Sequence, residues 1–260
     1  MEAKAKVRSS SRTRPRRSAS RPRRPEKSLA DRKVLDLRRW MCMSRPQLKK
    51  SCGISSVVSC WNYLFSRLGA GELDPLTQES ALQIVGISPP FDNVQFGAFT
   101  GNGTLKKWFR KLCGHFKVKG SARTFYKGAR PGKTSLAADR ALELLLAGLR
   151  GSTQTFIYHC YNHYFCPIGF EQTPVEAGEA YTAVPSGCET WVAIGETSSG
   201  QPCIHFKRWT DIVLDINSAF PQFYDIRRQE KGVQTKEQPA YVSGAKAGTN
   251  LHCLIMLEKD

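Results

Sequence analysis

No stretch of this chain approaches the roughly 18 consecutive apolar residues that a membrane-spanning helix needs, so no span is expected. No apolar h-region follows the N-terminal charges, which argues against a secretory signal. Pro15, Pro22 and Pro25 deny the same segment the amphipathic helix of an organelle transit peptide. There is no GxxxxGK[ST] phosphate loop, no dinucleotide fingerprint, no paired C-x-x-C and no H-E-x-x-H. The usual sequence grounds for a nucleotide, a cofactor or a zinc site are therefore missing, and no cofactor and no metal are expected. No internal repeat is visible.

What the chain does have is positive charge, unevenly spread. Of the formal +17 over 260 residues, residues 1–27 hold +9, from eleven Lys/Arg against two Glu, and the rest holds +8. The body is only moderately basic. Residues 1–30 are rich in Arg, Ser and Pro and read as a disordered basic arm. Such an arm suits nuclear import or a salt-sensitive grip on nucleic acid or other polyanions, and without aromatic side chains it offers no base stacking. Nine cysteines, an odd number, and no secretory signal point to reduced thiols in the cytoplasm or nucleus.

The folded part is expected from residue 31 to 260 as one α+β domain. Helical periodicity dominates about 40–150: a helix from Cys52, another over Thr77–Val85, a third from Thr104 to Leu112 and a fourth over Ser135–Leu149. A loop rich in Phe and Gly fills 89–103. About 151–260 reads as a mostly antiparallel sheet. Thr155–Cys160 and His163–Phe170 form strands joined at Tyr161-Asn162, followed by strands Thr190–Gly195, Cys203–Phe206 and Leu251–Leu257 and by a helix from Trp209 to Ile216. Asp211 and Asp215 are expected on the exposed face of that helix.

The most telling stretch is Gln47-Leu-Lys-Lys-Ser-Cys52-Gly53-Ile54. From Ile54 the apolar residues Val57, Val58, Trp61, Leu64, Phe65 and Leu68 keep a helical period, and Ser51 stands where an N-cap belongs. A thiol in the first turn of a buried helix feels the positive end of the helix dipole, which favours thiolate. The Gln47 amide is within reach to donate to an oxyanion beside that sulfur. Such a nucleophile needs a base, and the base needs an orienting partner. His163 opens a strand just after a tight turn and is the candidate base, with His252 and His159 as rivals. Glu196 follows the strand Thr190–Gly195 and is the candidate orienting carboxylate. A competing reading gathers His159, Cys160, His163 and Cys166 as zinc ligands, although strand alternation points His163 and Cys166 to opposite faces.

The pieces Gln47…Cys52-Gly53, Asn162-His163-Tyr164-Phe165…Gly169 and Trp191-Val-Ala-Ile-Gly-Glu196 resemble the papain-like cysteine peptidases, closest to those that cut bacteriocin leaders after paired glycines. That resemblance implies a two-lobed α+β fold and a catalytic set of Cys52, His163, Glu196 and Gln47. Glu196 departs from the Asp or Asn usual there. A second resemblance runs along nearly the whole body, through Arg32–Trp40, Ser51–Ser56, Phe99–Asn102, Tyr158–Cys160, Asn162–Glu171, Asp225–Arg227 and Asn250–Cys253. It is to the basic, immunoglobulin-like variable motif-containing protein family, which carries no activity over. No Cys, Trp, Cys spacing of an immunoglobulin sandwich is present, so that fold is not expected. Two functions follow. One is an intracellular thiol hydrolase, a peptidase or peptide-bond transferase acting on a peptide or protein. The other is a non-enzymatic interaction protein that keeps the scaffold and binds polyanions through its arm.

Overall fold

The computed structural model describes residues 29–45, 47–96, 100–128, 136–161, 163–197, 202–218, 222–235 and 252–260. All but the last two residues of the basic arm lie outside them, as do Gly97 and Phe99 of the aromatic loop, Asn162, and residues 198–200 after Glu196. The described part is α+β. No helix in it is long and apolar enough to cross a membrane.

The strands are β1 (Lys33–Leu35), β2 (Gly120–Lys127), β3 (Gln154–Cys160), β4 (His163–Pro174), β5 (Cys188–Glu196), β6 (Cys203–Arg208), β7 (Gln222–Tyr224), β8 (Val233–Thr235) and β9 (Cys253–Lys259). Among the described residues, seven of them form one sheet in the order β2-β9-β3-β4-β5-β6, with β1 on the far part of β4. All its pairings are antiparallel. β7 and β8 make a separate two-stranded ribbon. The last strand, β9, lies between β2 and β3, so it joins the two sides of the sheet.

The helices are α1 (Leu37–Met41), α2 (Cys52–Phe65), α3 (Gln78–Ile84), α4 (Asn102–His115), α5 (Ala138–Arg150) and α6 (Trp209–Asn217). They cover both faces of the sheet, and β9 and β3 register this by alternation. On β9, Cys253, Ile255 and Leu257 join one apolar cluster with α2, α3 and α4, whereas Leu254 and Met256 join a second with α5 and α6. On β3, Ile157 faces the first cluster and Phe156, Tyr158 and Cys160 the second. A strand buried on both faces needs apolar residues at every position, which is why β3, β4 and β9 read as near-continuous apolar runs.

All fourteen residues of α2 are buried. Its apolar stripe packs as the periodicity predicts up to Phe65. Leu68 does not belong to it: the helix stops at Phe65 and Leu68 is exposed. The serine-rich face is buried too, and its hydroxyls find partners. Ser55 donates to the Gln78 side chain at 2.8 Å, Ser59 to the Ser55 carbonyl at 2.6 Å, and the Asn62 amide holds both the N–H and C=O of Leu76. Ser51 occupies the N-cap position without capping, because its hydroxyl is turned to the Leu48 carbonyl at 2.9 Å and to Gln78 at 3.1 Å.

Candidate active site

Cys52 is the first residue of α2. A turn at Leu48–Ser51, with Lys50 at φ +59 and the Ser51 N–H donating to the Leu48 carbonyl at 3.1 Å, swings the chain into the helix axis. Gly53 follows because the site leaves no room for a side chain. A Cβ there would sit 2.5 Å from Thr100 Cγ2 and 3.2 Å from Leu105 Cδ1. The Cys-Gly step therefore lets the mouth of α2 press against α4 and against Tyr164 of β4.

His163 arrives from the β3–β4 hairpin. Cys160 and His163 are the last registered pair, and Tyr161 turns the corner at φ +32. On the other side of β4, Cys166 pairs with Gly195, so the end of β5 brings Glu196 alongside the start of β4. The His163 Nε2–H reaches Glu196 Oε1 at 3.3 Å. The same ring hydrogen-bonds Cys52, and with Nε2 given to Glu196 the nitrogen left for the thiol is Nδ1. Phe165 packs edge-on against the imidazole at 4.5 Å and fixes its plane. Cys52 is 8 % exposed, and the side chains of His163 and Glu196 are 12 % and 13 % exposed.

The electrostatics follow from that geometry. Burial pushes the Cys52 thiol up, but the hydrogen bond and charge of His163, with backbone hydrogen bonds from Tyr164 and Gly53, outweigh it and hold the thiol below its ordinary value. Burial works against charge on His163, and bonds to Cys52 and Glu196 overcome it, raising the imidazole to about 9. The His163 hydrogen bond, opposed by burial and helped by the charges of His163, His205 and Arg227, keeps Glu196 below the usual carboxylate range. The shifts all favour charge: thiolate on Cys52, imidazolium on His163 and carboxylate on Glu196. Other thiols move the opposite way. Burial lifts Cys42 and Cys253 to about 12 and Cys113 to about 11, and it also raises Cys160 and Cys203. Cys166 is raised by its bond to Cys60 and then by burial. All nine cysteines are free.

Gln47 meets the same corner. Its Oε1 accepts the Thr197 hydroxyl at 3.0 Å, tying the loop before α2 to the end of β5 and leaving the amide N–H groups as its donating side. Sequence reading passed over Thr197 because a lone hydroxyl beyond a strand carries no pattern. It also passed over His205, whose Nε2 lies 3.1 Å from the second Glu196 oxygen. Strand alternation from Cys203 was the available signal there.

The rival histidines do other work. His252 donates from Nδ1 to Asp215 at 2.5 Å and accepts the Tyr161 N–H at Nε2 at 2.8 Å, so both nitrogens are committed. It props the turn that delivers His163. His159 is buried and stacks on Tyr164 at 4.6 Å. The outward placing of Asp211 and Asp215 does not hold. Asp215 is fully buried between Tyr158 and His252, and Asp211 is buried against Arg208 and Gln229. The grouping of His159, Cys160, His163 and Cys166 does not converge either. Cys160 Sγ faces the Tyr224 carbonyl in the second cluster, whereas Cys166 Sγ faces Ser56 and Cys60 in the first.

Residues 28–260 match the family model described as basic immunoglobulin-like variable motif-containing protein. The chain belongs to this family. It is 50 % identical over 239 residues to the protein of that name from Homo sapiens, covering 90 % of this chain and 46 % of the relative. It is 52 % identical over 231 residues to the one from Xenopus tropicalis, covering 88 % and 45 %. A relative of the same name from Giardia intestinalis is 26 % identical over 236 residues, covering 81 % of this chain and 84 % of its own length. The chain thus spans about half the length of the vertebrate relatives it matches. The family's name invokes an immunoglobulin-like motif, yet the main sheet is covered by helices on both faces rather than by a second sheet.

Proposed function

We propose that this family member is a thiol hydrolase of papain-like type, in which Cys52 is the nucleophile, His163 the acid and base, and Glu196 the group that orients His163. The observation that carries the reading is the meeting of three side chains from three separate elements, α2, β4 and β5, in the linear order thiol, imidazole, carboxylate. A structural role for a buried cysteine would not need an imidazole held in one tautomer by a carboxylate. The downward shift of Cys52 alongside upward shifts of Cys42, Cys113 and Cys253 supports the same reading.

The chemistry follows from the roles. The Cys52 thiolate adds to a peptide carbonyl carbon, and the carbonyl electron pair moves onto oxygen. The Cys52 backbone N–H and the Gln47 amide donate to that oxyanion. The oxyanion collapses, the C–N bond breaks, and the His163 imidazolium gives its proton to the leaving amine. The acyl group is then on sulfur. Neutral His163 next takes a proton from water, or from an acceptor amine in a transferase, as that nucleophile attacks the thioester; collapse returns the thiolate and the imidazolium.

The test is labelling of the full chain by a peptidyl acyloxymethyl ketone, which alkylates a thiolate held beside an imidazolium. Cys52→Ala should abolish labelling while circular dichroism stays unchanged. Gln47→Ala should slow hydrolysis of any substrate found by about 10²–10³-fold. Undiminished labelling in Cys52→Ala would reject the proposal.

A further inference from the structure

Glu196 has two oxygens, and only Oε1 faces His163. The other points across the sheet to β6, the outer strand of its edge. There Cys203 is registered directly opposite Glu196, and His205, two residues on, projects from the same face as Cys203. The Cys203 Sγ lies 3.0 Å from His205 Nε2, and that nitrogen lies 3.1 Å from Glu196 Oε2. All three ligand atoms fall within 4.8 Å of one another.

We infer that Glu196, Cys203 and His205 form a binding site for a divalent transition-metal ion of the Zn2+ class. The donor set is one thiolate, one imidazole and one carboxylate, a combination that suits zinc and not the oxygen-seeking Ca2+ or Mg2+. The spacing suits it as well. With zinc bonds of about 2.0 Å to N and O and about 2.3 Å to S, the edges of a tetrahedron come to roughly 3.3 Å for N···O and roughly 3.5 Å for N···S. The N···O and N···S pairs, now 3.1 and 3.0 Å, need only open by a few tenths of an ångström. The side chains have room to do so: His205 is 43 % exposed, and Cys203 is half-buried on an outer strand. Three protein ligands leave the fourth position to solvent, the pattern of an exchangeable ion and not of a closed structural one.

Cys160, Asp215 and His252 also gather close enough for a metal, but their bonds are already made. His252 is committed at both nitrogens, Asp215 holds Tyr158 and His252, and Cys160 and Asp215 are buried. That group is a polar lock; the one on β5 and β6 is a set of ligands at the surface.

Glu196 is shared between the two functions, so metal on Oε2 draws on the same carboxylate that orients His163. This second step rests on the hydrolase reading; the binding step does not. Binding is therefore measured on full-chain Cys52→Ala, which removes the competing thiolate. Titration with Zn2+ against a chromophoric chelator should give one ion per chain, and Co2+ should give a thiolate-to-metal charge-transfer band. Cys203→Ser should remove the band, and Cys203→Ser and His205→Gln should each weaken Zn2+ by more than about 10-fold, the least that losing even an outer-shell partner costs. Folded Cys52→Ala that takes no Zn2+, or that binds it equally well with both substitutions added, would overturn the site. In the chain that retains Cys52, Zn2+ should slow ketone labelling, and Cys203→Ser should remove that slowing. Slowing that survives Cys203→Ser would overturn the link to Glu196 while leaving the binding result standing.

Discussion

At the scale of single residues, the decisive contact is between Cys52 and His163, and pH should expose it. The thiol sits below its ordinary value and Cys42 and Cys253 sit above theirs, so alkylation of Cys52 by iodoacetamide should persist to lower pH than alkylation of those two. His163→Ala removes the largest stabilising influence on the thiolate, and the rate should then rise only as pH climbs toward the alkaline range. The sign for His163 runs the other way. Its folded-state value of about 9 lies above the ordinary 6.5, so its contribution to stability is complete below pH 6.5 and fades as pH rises through 9. Because Cys52 is the largest influence raising it, His163 in Cys52→Ala should titrate below 9, which an NMR titration of the ring protons would read directly. A ring still titrating near 9 would mean that Glu196 alone holds the charge. Cys52, His163 and Glu196 could be singled out in the sequence because each stands at the end of a patterned segment, and Gln47 because it lies in the loop just before Cys52. Asp215 was not. A polar side chain on an amphipathic helix is assigned outward by periodicity, and only partners on β3 and just before β9, Tyr158 and His252, reveal that it points in.

At the scale of elements, the site depends on where the β3–β4 turn is held. His252 carries the Tyr161 N–H at one nitrogen and the buried Asp215 carboxylate at the other. His252→Ala would take the imidazole N–H away from the buried Asp215 carboxylate, and leaving a buried group short of a hydrogen-bond partner costs about 1–3 kcal/mol. Urea unfolding should show a drop of that size, and Asp215→Asn in the same chain should recover part of it by removing the carboxylate left short of a partner. A drop within experimental error would show that the turn is held by other means. The elements differed in how plainly they read. α2, β3, β4, β5 and β9 are long and apolar enough for period alone to find them. β1 and β2 went unnoticed because Lys33–Leu35 is three residues long and Gly120–Lys127 mixes Gly, Ser, Arg and Lys with its aromatics. Both become strands through pairing with β4 and β9, which is information held far away in the chain.

At the scale of the whole molecule, an entirely buried helix and a sheet covered on both faces make a rigid frame around the thiol. Arg39 adds to it from the interior, donating to the carbonyls of Gln154, Gly148 and Gly151 at 2.8–3.0 Å and so fastening the end of α5 to β3. The α+β character was visible in the order of patterned segments, helices before strands. The covering of both sheet faces was not, since it depends on α5 and α6 crossing to the side opposite α2. The placing of β9 has a consequence for how the protein comes into being. While a ribosome is still making the chain, β2 and β3 have no neighbour to join them, for the strand that fits between them is synthesised after both. Until residues 253–259 emerge, the sheet stays open between β2 and β3 and their facing edges are unpaired. A chain stopped before residue 252 should therefore bind a chaperone or aggregate, and it should show no fast-reacting thiol, whereas supplying residues 252–260 as a separate peptide should restore both solubility and the thiol's reactivity.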